Sequence, residues 1–387
     1  MKLIQAFQRE RVSDSHFAWN TGYGYDDAGR EVTEKVFARA FSCDKALVRT
    51  NIVSGTHALA ISLLGLLRPG EELLYLTGRP YDTLQDVIGI RNRPPGSLAD
   101  MGVTYKEIPL LPDGQPDYQA LAQSLTPQTR LIALQRSCGY AWRPSLSVAQ
   151  LEEACTRIHR MRPDLIVMVD NSYGEFVEER EPVACGADIM AGSLIKNPGG
   201  GLALAGAYVA GRKDLVDRVA FRMTCPGIGA ECGLTYGQTR AILQGFFLAP
   251  KVVSDAVKGS LLLAEVYKTL GYPVSPEVHD HRTDIVQAIR LGSAEAVSAF
   301  CEGIQQAAVV DSFVSPVPSP MPGYDCDIIM AAGTFVQGAS IELSADAPMR
   351  EPYNVYFQGG LTYPHAKFGV IKSLDALQKQ GLLKGVR

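Results

Sequence analysis

The sequence predicts an α/β fold on a mostly parallel seven-stranded sheet, followed by a smaller α+β region. Three observations point there. From about residue 45 to 225, short apolar runs alternate with amphipathic runs. The short runs are apolar throughout, as strands covered on both faces are. After Gly233 the texture changes to long helical patterns with few strand signals. Alternating strands and helices argue for helices layered on a parallel sheet.

Residues 1–44 read as an N-terminal arm and helix. Residues 45–233 read as the large domain, with seven strand candidates: "ALVRTNIV", "ELLYLT", "VTYKEIPL", "RLIALQRS", "LIVMVDN", "ADIMAGS" and "LAGAYVAG". Helical patterns lie between several of them, in "THALAISLLGLL", "YDTLQDVIGI", "YQALAQSL" and "SVAQLEEACTRIHRM". Residues 234–387 read as a linking helix and a small domain. The stretch "TRAILQGFFLAPKVVSDAVKGSLLLAEVYKTLGY" is one long helix or two with a break near Pro250, since proline removes a helix hydrogen bond. Then follow "DIVQAIRL", a helix in "AEAVSAFCEGIQQA", a proline-rich turn and strand-like runs "CDIIMAAGTFV" and "ASIELSA". "HAKFGVIKSLDALQKQ" is the final helix.

Composition narrows the function classes. The 387 residues carry a formal net charge of −4, which leaves no electrostatic footprint for nucleic acid. The N-terminal "MKLIQAFQRE" has no apolar core of a signal peptide, and no window reaches the ~18 apolar residues a membrane span needs. The eight cysteines form no CxxC pair and no cluster with zinc spacing, so no metal site is expected. They read as free thiols of a cytoplasmic protein.

The chemistry gathers in three places. "AGSLIKNPGGG" sets Lys196 among small and apolar residues, where a lysine needs a partner. In "LIVMVDNSYGEF", Asp170 ends an apolar strand, at the edge where open α/β sheets bind ligands. "VSGTHALAIS" is a strand, a turn of Ser54, Gly55 and Thr56, and a helix whose first N–H groups can cradle a phosphate. A phosphate site, an aspartate and a lysine are the parts needed to hold pyridoxal 5′-phosphate. Each part alone has a plainer reading, as a helix cap, a turn residue or a solvated lysine.

The sequence resembles the fold-type I (aspartate aminotransferase-like) pyridoxal-phosphate enzymes. Within them it resembles the methionine γ-lyase / cystathionine β-lyase-like family associated with aluminium resistance. The matching stretches include "HFAWNTGYGYDDAGRE", "GRPYDTLQDVIG", "DIMAGSLIKNPGGGLA", "GTFVQGASIELSADAPMREPY" and "YFQGGLTYPHAKFG". The resemblance implies that Lys196 holds the cofactor as a Schiff base and later takes the Cα proton. It implies that Asp170 keeps the pyridine nitrogen protonated, that Ser193 joins the Ser54–Thr56 turn on the phosphate, and that Tyr81 stacks on the ring and assists proton transfer. Tyr25 would reach a neighbouring subunit's phosphate, making a homodimer with shared sites, and a homotetramer by pairing of dimers. Apolar surroundings and nearby positive groups are expected to lower the Lys196 pKa.

Arg350, in "APMREPY", is the candidate for the substrate carboxylate, because arginine binds carboxylates bidentately. Tyr140, in "QRSCGYAWRPS", is a second substrate-binding candidate. The sequence also departs from the family pattern. Cys138 stands where a second arginine is expected, Ser172 where cysteine is usual, and the arginine of the cross-subunit tyrosine motif has no clear counterpart, with Arg30 the one candidate.

The reading that follows is a lyase acting on a γ- or β-substituted L-amino acid by α-proton abstraction and elimination. A specialised variant would expel a non-thiol group such as halide and give an unsaturated amino acid. Other classes are a pyridoxal-phosphate aminotransferase or aldolase, and a non-catalytic cofactor-binding protein.

Overall fold

The computed structural model describes residues 1–385. Two helices lead, α1 (Lys2–Arg9) and α2 (Ala28–Phe41). Then come β1 (Lys45–Arg49), α3 (Gly55–Leu66), β2 (Glu72–Tyr75), α4 (Asp82–Ile88), β3 (Thr104–Glu107) and α5 (Tyr118–Ser124). The series continues with β4 (Thr129–Gln135), α6 (Val148–Met161), β5 (Ile166–Asp170), β6 (Ile189–Ser193), β7 (Ala207–Gly211) and α7 (Lys213–Met223).

These strands form one sheet in the order β1-β7-β6-β5-β4-β2-β3. Neighbours from β6 to β3 pair in parallel, and β7 alone runs against both β6 and β1. This is the α/β, mostly parallel seven-stranded sheet that the sequence predicts. β5, β6 and β7 are buried at every residue because both faces are covered. α2, α6 and the start of the long helix pack on one face, and α3, α4 and α7 on the other.

The long helix, α8 (Thr239–Thr269), runs unbroken through Pro250. It leads to β8 (Val274–Ser275), β9 (Gln287–Arg290), α9 (Ala294–Ala307), β10 (Ile328–Ala331), β11 (Ser344–Pro348), β12 (Asn354–Gln358) and α10 (Tyr363–Lys379). These five strands make a second, wholly antiparallel sheet, β10-β11-β12-β9-β8, packed against α9, α10 and the end of α8.

Two details differ from the sequence reading. Most of "ASIELSA" is a loop, because the Glu342 carboxylate accepts the N–H groups of Phe335 and Val336 and curls that segment; pairing starts only at Ser344. β12 is an additional strand, as is the two-residue β8; β12 follows β11 after a five-residue turn that contains Pro352.

Beneath the ends of β5 and β6 lies a buried polar cluster. Tyr208 donates to Glu175 Oε1 at 2.8 Å. A Cβ on Gly192 would stand 2.4 Å from that same oxygen, so β6 needs a glycine there. Burial pushes the Glu175 carboxyl up from its ordinary 4.5 to about 8. The folded chain thus holds a proton that the unfolded chain releases. This stabilising contribution is complete below pH 4.5 and is lost as pH rises toward 8. Glu175→Gln should therefore match the wild type near pH 5 and melt at least ~2 °C higher near pH 8. Thermal denaturation at both pH values checks this; parallel curves at the two pH values would mean that Glu175 is ionised throughout.

Candidate active site

The carboxyl ends of the parallel strands converge on one cavity of about 400 Å³. Gln135 ends β4, Asp170 ends β5 and Ser193 ends β6, with Lys196 three residues further on. All four line the cavity, as do Ser54, Gly55 and Thr56 at the start of α3. The Ser54 hydroxyl caps α3 by accepting from His57 N, and the first intrahelical bond runs from Ala58 N to Ser54 O. The N–H groups of Gly55 and Thr56 lie ahead of that bond, at the positive end of the helix. A Cβ on Gly55 would come within 3.3 Å of the Ser193 Cβ, so glycine keeps this end open.

Tyr81 caps the opposite side. Its hydroxyl donates to Thr56 Oγ1 at 2.8 Å, and its N–H donates to Gln135 Oε1 at 3.0 Å. Burial, reinforced by the nearby Asp170, raises its pKa, so the phenol keeps its proton at neutral pH.

Lys196 Nζ sits 3.9 Å from the centre of the Tyr173 ring, a cation–π contact. Tyr173 has φ +73°, in the left-handed region that is costly for a non-glycine residue. Asn197 holds it there: its Nδ2 donates to the carbonyls of Tyr173 at 2.9 Å and Glu175 at 3.0 Å. Asp170 accepts from Ser172 N at 3.1 Å; burial raises its carboxyl, and Lys196 and Ser172 partly offset this. The expected fall in the Lys196 pKa does not occur. Burial pulls it down, but Tyr173, Asp170 and Glu175 together outweigh burial and hold it above its ordinary value.

Eight of the ten candidates from the sequence line this cavity: Ser54, Gly55, Thr56, Tyr81, Tyr140, Asp170, Ser193 and Lys196. Arg350 does not. Its Nη1 lies 3.0 Å from Asp325 Oδ1 in an exposed ion pair, close enough for its charge to act on Asp82 and Tyr356, which are both in the lining. Tyr25 is also outside this chain's cavity lining, exposed and 5.4 Å from the Tyr23 ring. Arg30 is buried and donates to the carbonyls of Gly24, Gly233 and Glu231, so it holds the arm rather than facing a ligand. Cys138 is buried with Val286 and Tyr356.

The sequence reading missed Tyr173, although it stands three residues after Asp170 in a segment already singled out. It also missed a wall formed by Asp346, Gln358, Tyr324 and Tyr356. Asp346 stands four residues before Arg350, within the quoted stretch "ELSADAPMREPY". Among the described residues no cluster of His, Cys, Asp and Glu could hold a metal ion, and no helix is long and apolar enough to cross a membrane.

Comparison with known proteins gives the family. The Bacillus subtilis protein YnbB is 48% identical over 383 residues, covering 99% of this chain and 91% of that one. A solved structure of a carbon-sulfur lyase involved in aluminum resistance from Clostridium novyi NT is 46% identical. It covers 97% of this chain and 89% of its own, with a TM-score of 0.93. A Listeria innocua protein described as involved in aluminum resistance is 50% identical, covers 97% and 92%, and has a TM-score of 0.94. Structures only 14% and 18% identical share the fold alone, each with a TM-score of 0.64. The second is a pyridoxal-5'-phosphate dependent protein of Escherichia coli. The fold is therefore that of the fold-type I pyridoxal-phosphate enzymes. Residues 1–378 match the sequence model described as methionine gamma-lyase, and on that match the chain belongs to the methionine γ-lyase family.

Proposed function

We propose that the chain is a pyridoxal 5′-phosphate-dependent lyase that eliminates a γ- or β-substituent from an L-amino acid. One observation carries the reading: a lysine after β6, an aspartate at the end of β5 and the open first turn of the helix that follows β1 face one cavity.

The residues present fit the cofactor. The free N–H groups of Gly55 and Thr56, with the hydroxyls of Ser54, Thr56 and Ser193, suit a phosphate. The cofactor, when bound, supplies an electrophilic carbonyl and a ring that withdraws electrons from the substrate Cα. Lys196 Nζ is the attachment point and, once free, the base that takes the Cα proton. Its raised pKa in the chain alone reflects the polar groups around it, Asp170 among them, and a bound cationic ring would offset the Asp170 charge. Asp170 would keep the ring nitrogen protonated. Tyr173 holds Lys196 Nζ in position through its ring face. Tyr81 covers the ring and, because it keeps its proton, serves as acid toward the leaving group. Tyr140 is assigned to the substrate side. Tyr25 is assigned to the partner's phosphate, which makes a homodimer the minimum catalytic unit, with a tetramer built from two dimers.

Borohydride treatment of cofactor-loaded protein should label the peptide containing Lys196, and a screen of substituted amino acids should release a 2-oxo acid with ammonia. A labelled peptide elsewhere would remove the site assignment, and amino transfer to an added keto acid instead would remove the lyase.

Asp170→Asn should fold and bind cofactor yet lose turnover by roughly a thousandfold. That matches the ~4 kcal/mol of a charge pair near 4 Å at an effective dielectric constant of 20. Steady-state kinetics with matched cofactor occupancy tests it; a loss below tenfold would detach Asp170 from the ring nitrogen.

Mixing inactive Tyr25→Ala protein with inactive Lys196→Ala protein should restore part of the activity, since both lesions fall together in one site of a mixed dimer. Verified subunit exchange without recovery would take Tyr25 out of the partner's site.

A further inference from the structure

The far wall of the cavity has a chemistry that the reading so far does not use. The register of the second sheet sets Asp346 opposite Met330 on one side and Tyr356 on the other. The next row brings Ser344 opposite Gln358. All five residues line the cavity. Gln358 Nε2 donates to Asp346 Oδ2 at 2.8 Å, and the Tyr140 hydroxyl lies beside the same carboxylate. The Tyr140 ring packs 5.9 Å from Tyr324 and 5.2 Å from Tyr356, so three tyrosines cluster on the wall that carries the aspartate.

The charges are lopsided. Among the described lining residues Lys196 is the one cation, while Asp82, Asp170 and Asp346 are carboxylates. On the lyase reading Lys196 and Asp170 would be taken up by the cofactor. Asp82 has Arg350 and Arg91 beside it, which leaves Asp346 as the carboxylate without a cation of its own on the substrate side. Burial raises the Asp346 carboxyl to about 6, so it is still mostly ionised at neutral pH. A neutral methylthio group closing over it would strip water from a charge and return nothing. A cation would pair with the carboxylate and rest against the tyrosine faces.

We propose that Asp346, Tyr140, Tyr324 and Tyr356 form a subsite for a positively charged group at the far end of the substrate's β- or γ-substituent. The preferred substrates are then thioether amino acids whose leaving thiol carries an ammonium. The inference rests on the lyase reading of the same cavity. For S-(2-aminoethyl)-L-homocysteine the Cγ–S bond breaks, its electron pair stays on sulfur, and sulfur takes a proton. Addition of one water then gives 2-oxobutanoate, ammonia and 2-aminoethanethiol.

The test compares S-(2-aminoethyl)-L-homocysteine with its neutral isostere S-propyl-L-homocysteine, and the corresponding cysteine pair, on cofactor-loaded protein. Two quantities are read: kcat/KM for 2-oxo acid release, and Kd by calorimetry. The wild type should favour the amine by about tenfold or more, and Asp346→Asn should bring the ratio to within about twofold. Tyr324→Leu, which leaves the carboxylate in place, should reduce the ratio partly. Equal values for the two compounds in the wild type, or a preference that survives Asp346→Asn, would overturn the subsite. If no compound releases a 2-oxo acid, the lyase reading fails. The Kd ratio then decides the subsite alone: tighter amine binding lost in Asp346→Asn supports it, and equal binding rejects it.

Discussion

A lysine ammonium and an aspartate carboxylate at the ends of adjacent parallel strands constrain everything around them. β5 ends at Asp170 and β6 ends three residues before Lys196, with Asp170 in register with Ala191. Both charges are buried, each acts on the other through space, and both depend on a shell of polar neighbours. The shell is built from the two loops that follow the strands. Asn197, next to the lysine, grips the carbonyls of Tyr173 and Glu175, so the lysine loop and the tyrosine loop are tied together. The left-handed backbone at Tyr173 is the cost of turning its ring onto Lys196 Nζ. Glycine at 192 is required because Glu175 and Tyr208 occupy the space a side chain would fill.

The near half of this arrangement could be read from the sequence. Uniformly apolar runs gave the strands, because helices cover both faces of the sheet and no residue in β5 or β6 reaches water. The site residues there lie at strand ends or helix starts, where position along the chain fixes position in space. Pro250 left the long helix ambiguous, since local propensity carries no information about the packing of Phe246 and Val253 that holds α8 together across it.

The far half could not be read in this way. Its wall comes from β10, β11, β12, the Tyr140 loop and Tyr324, joined only by the register of the second sheet. No local period marks such an assembly. Charge type alone pointed to Arg350 as the carboxylate partner; its side chain pairs with Asp325 beside the cavity and is not part of the lining. Asp346, four residues earlier, points inward.

The cavity is therefore polarised along its length. At one end the start of α3 presents free N–H groups and a positive dipole, with hydroxyls from Ser54, Thr56 and Ser193. At the other, Asp346 and Asp82 present negative charge framed by tyrosines. On the proposed reading a phosphate would be drawn to the first end and away from the second, which would set the direction of the cofactor. The same field would sort what arrives after it, attracting a positive group at the far wall and repelling a negative one. Such selection by charge would precede any fit of shape, because Coulomb terms act over several ångströms while packing acts only at contact.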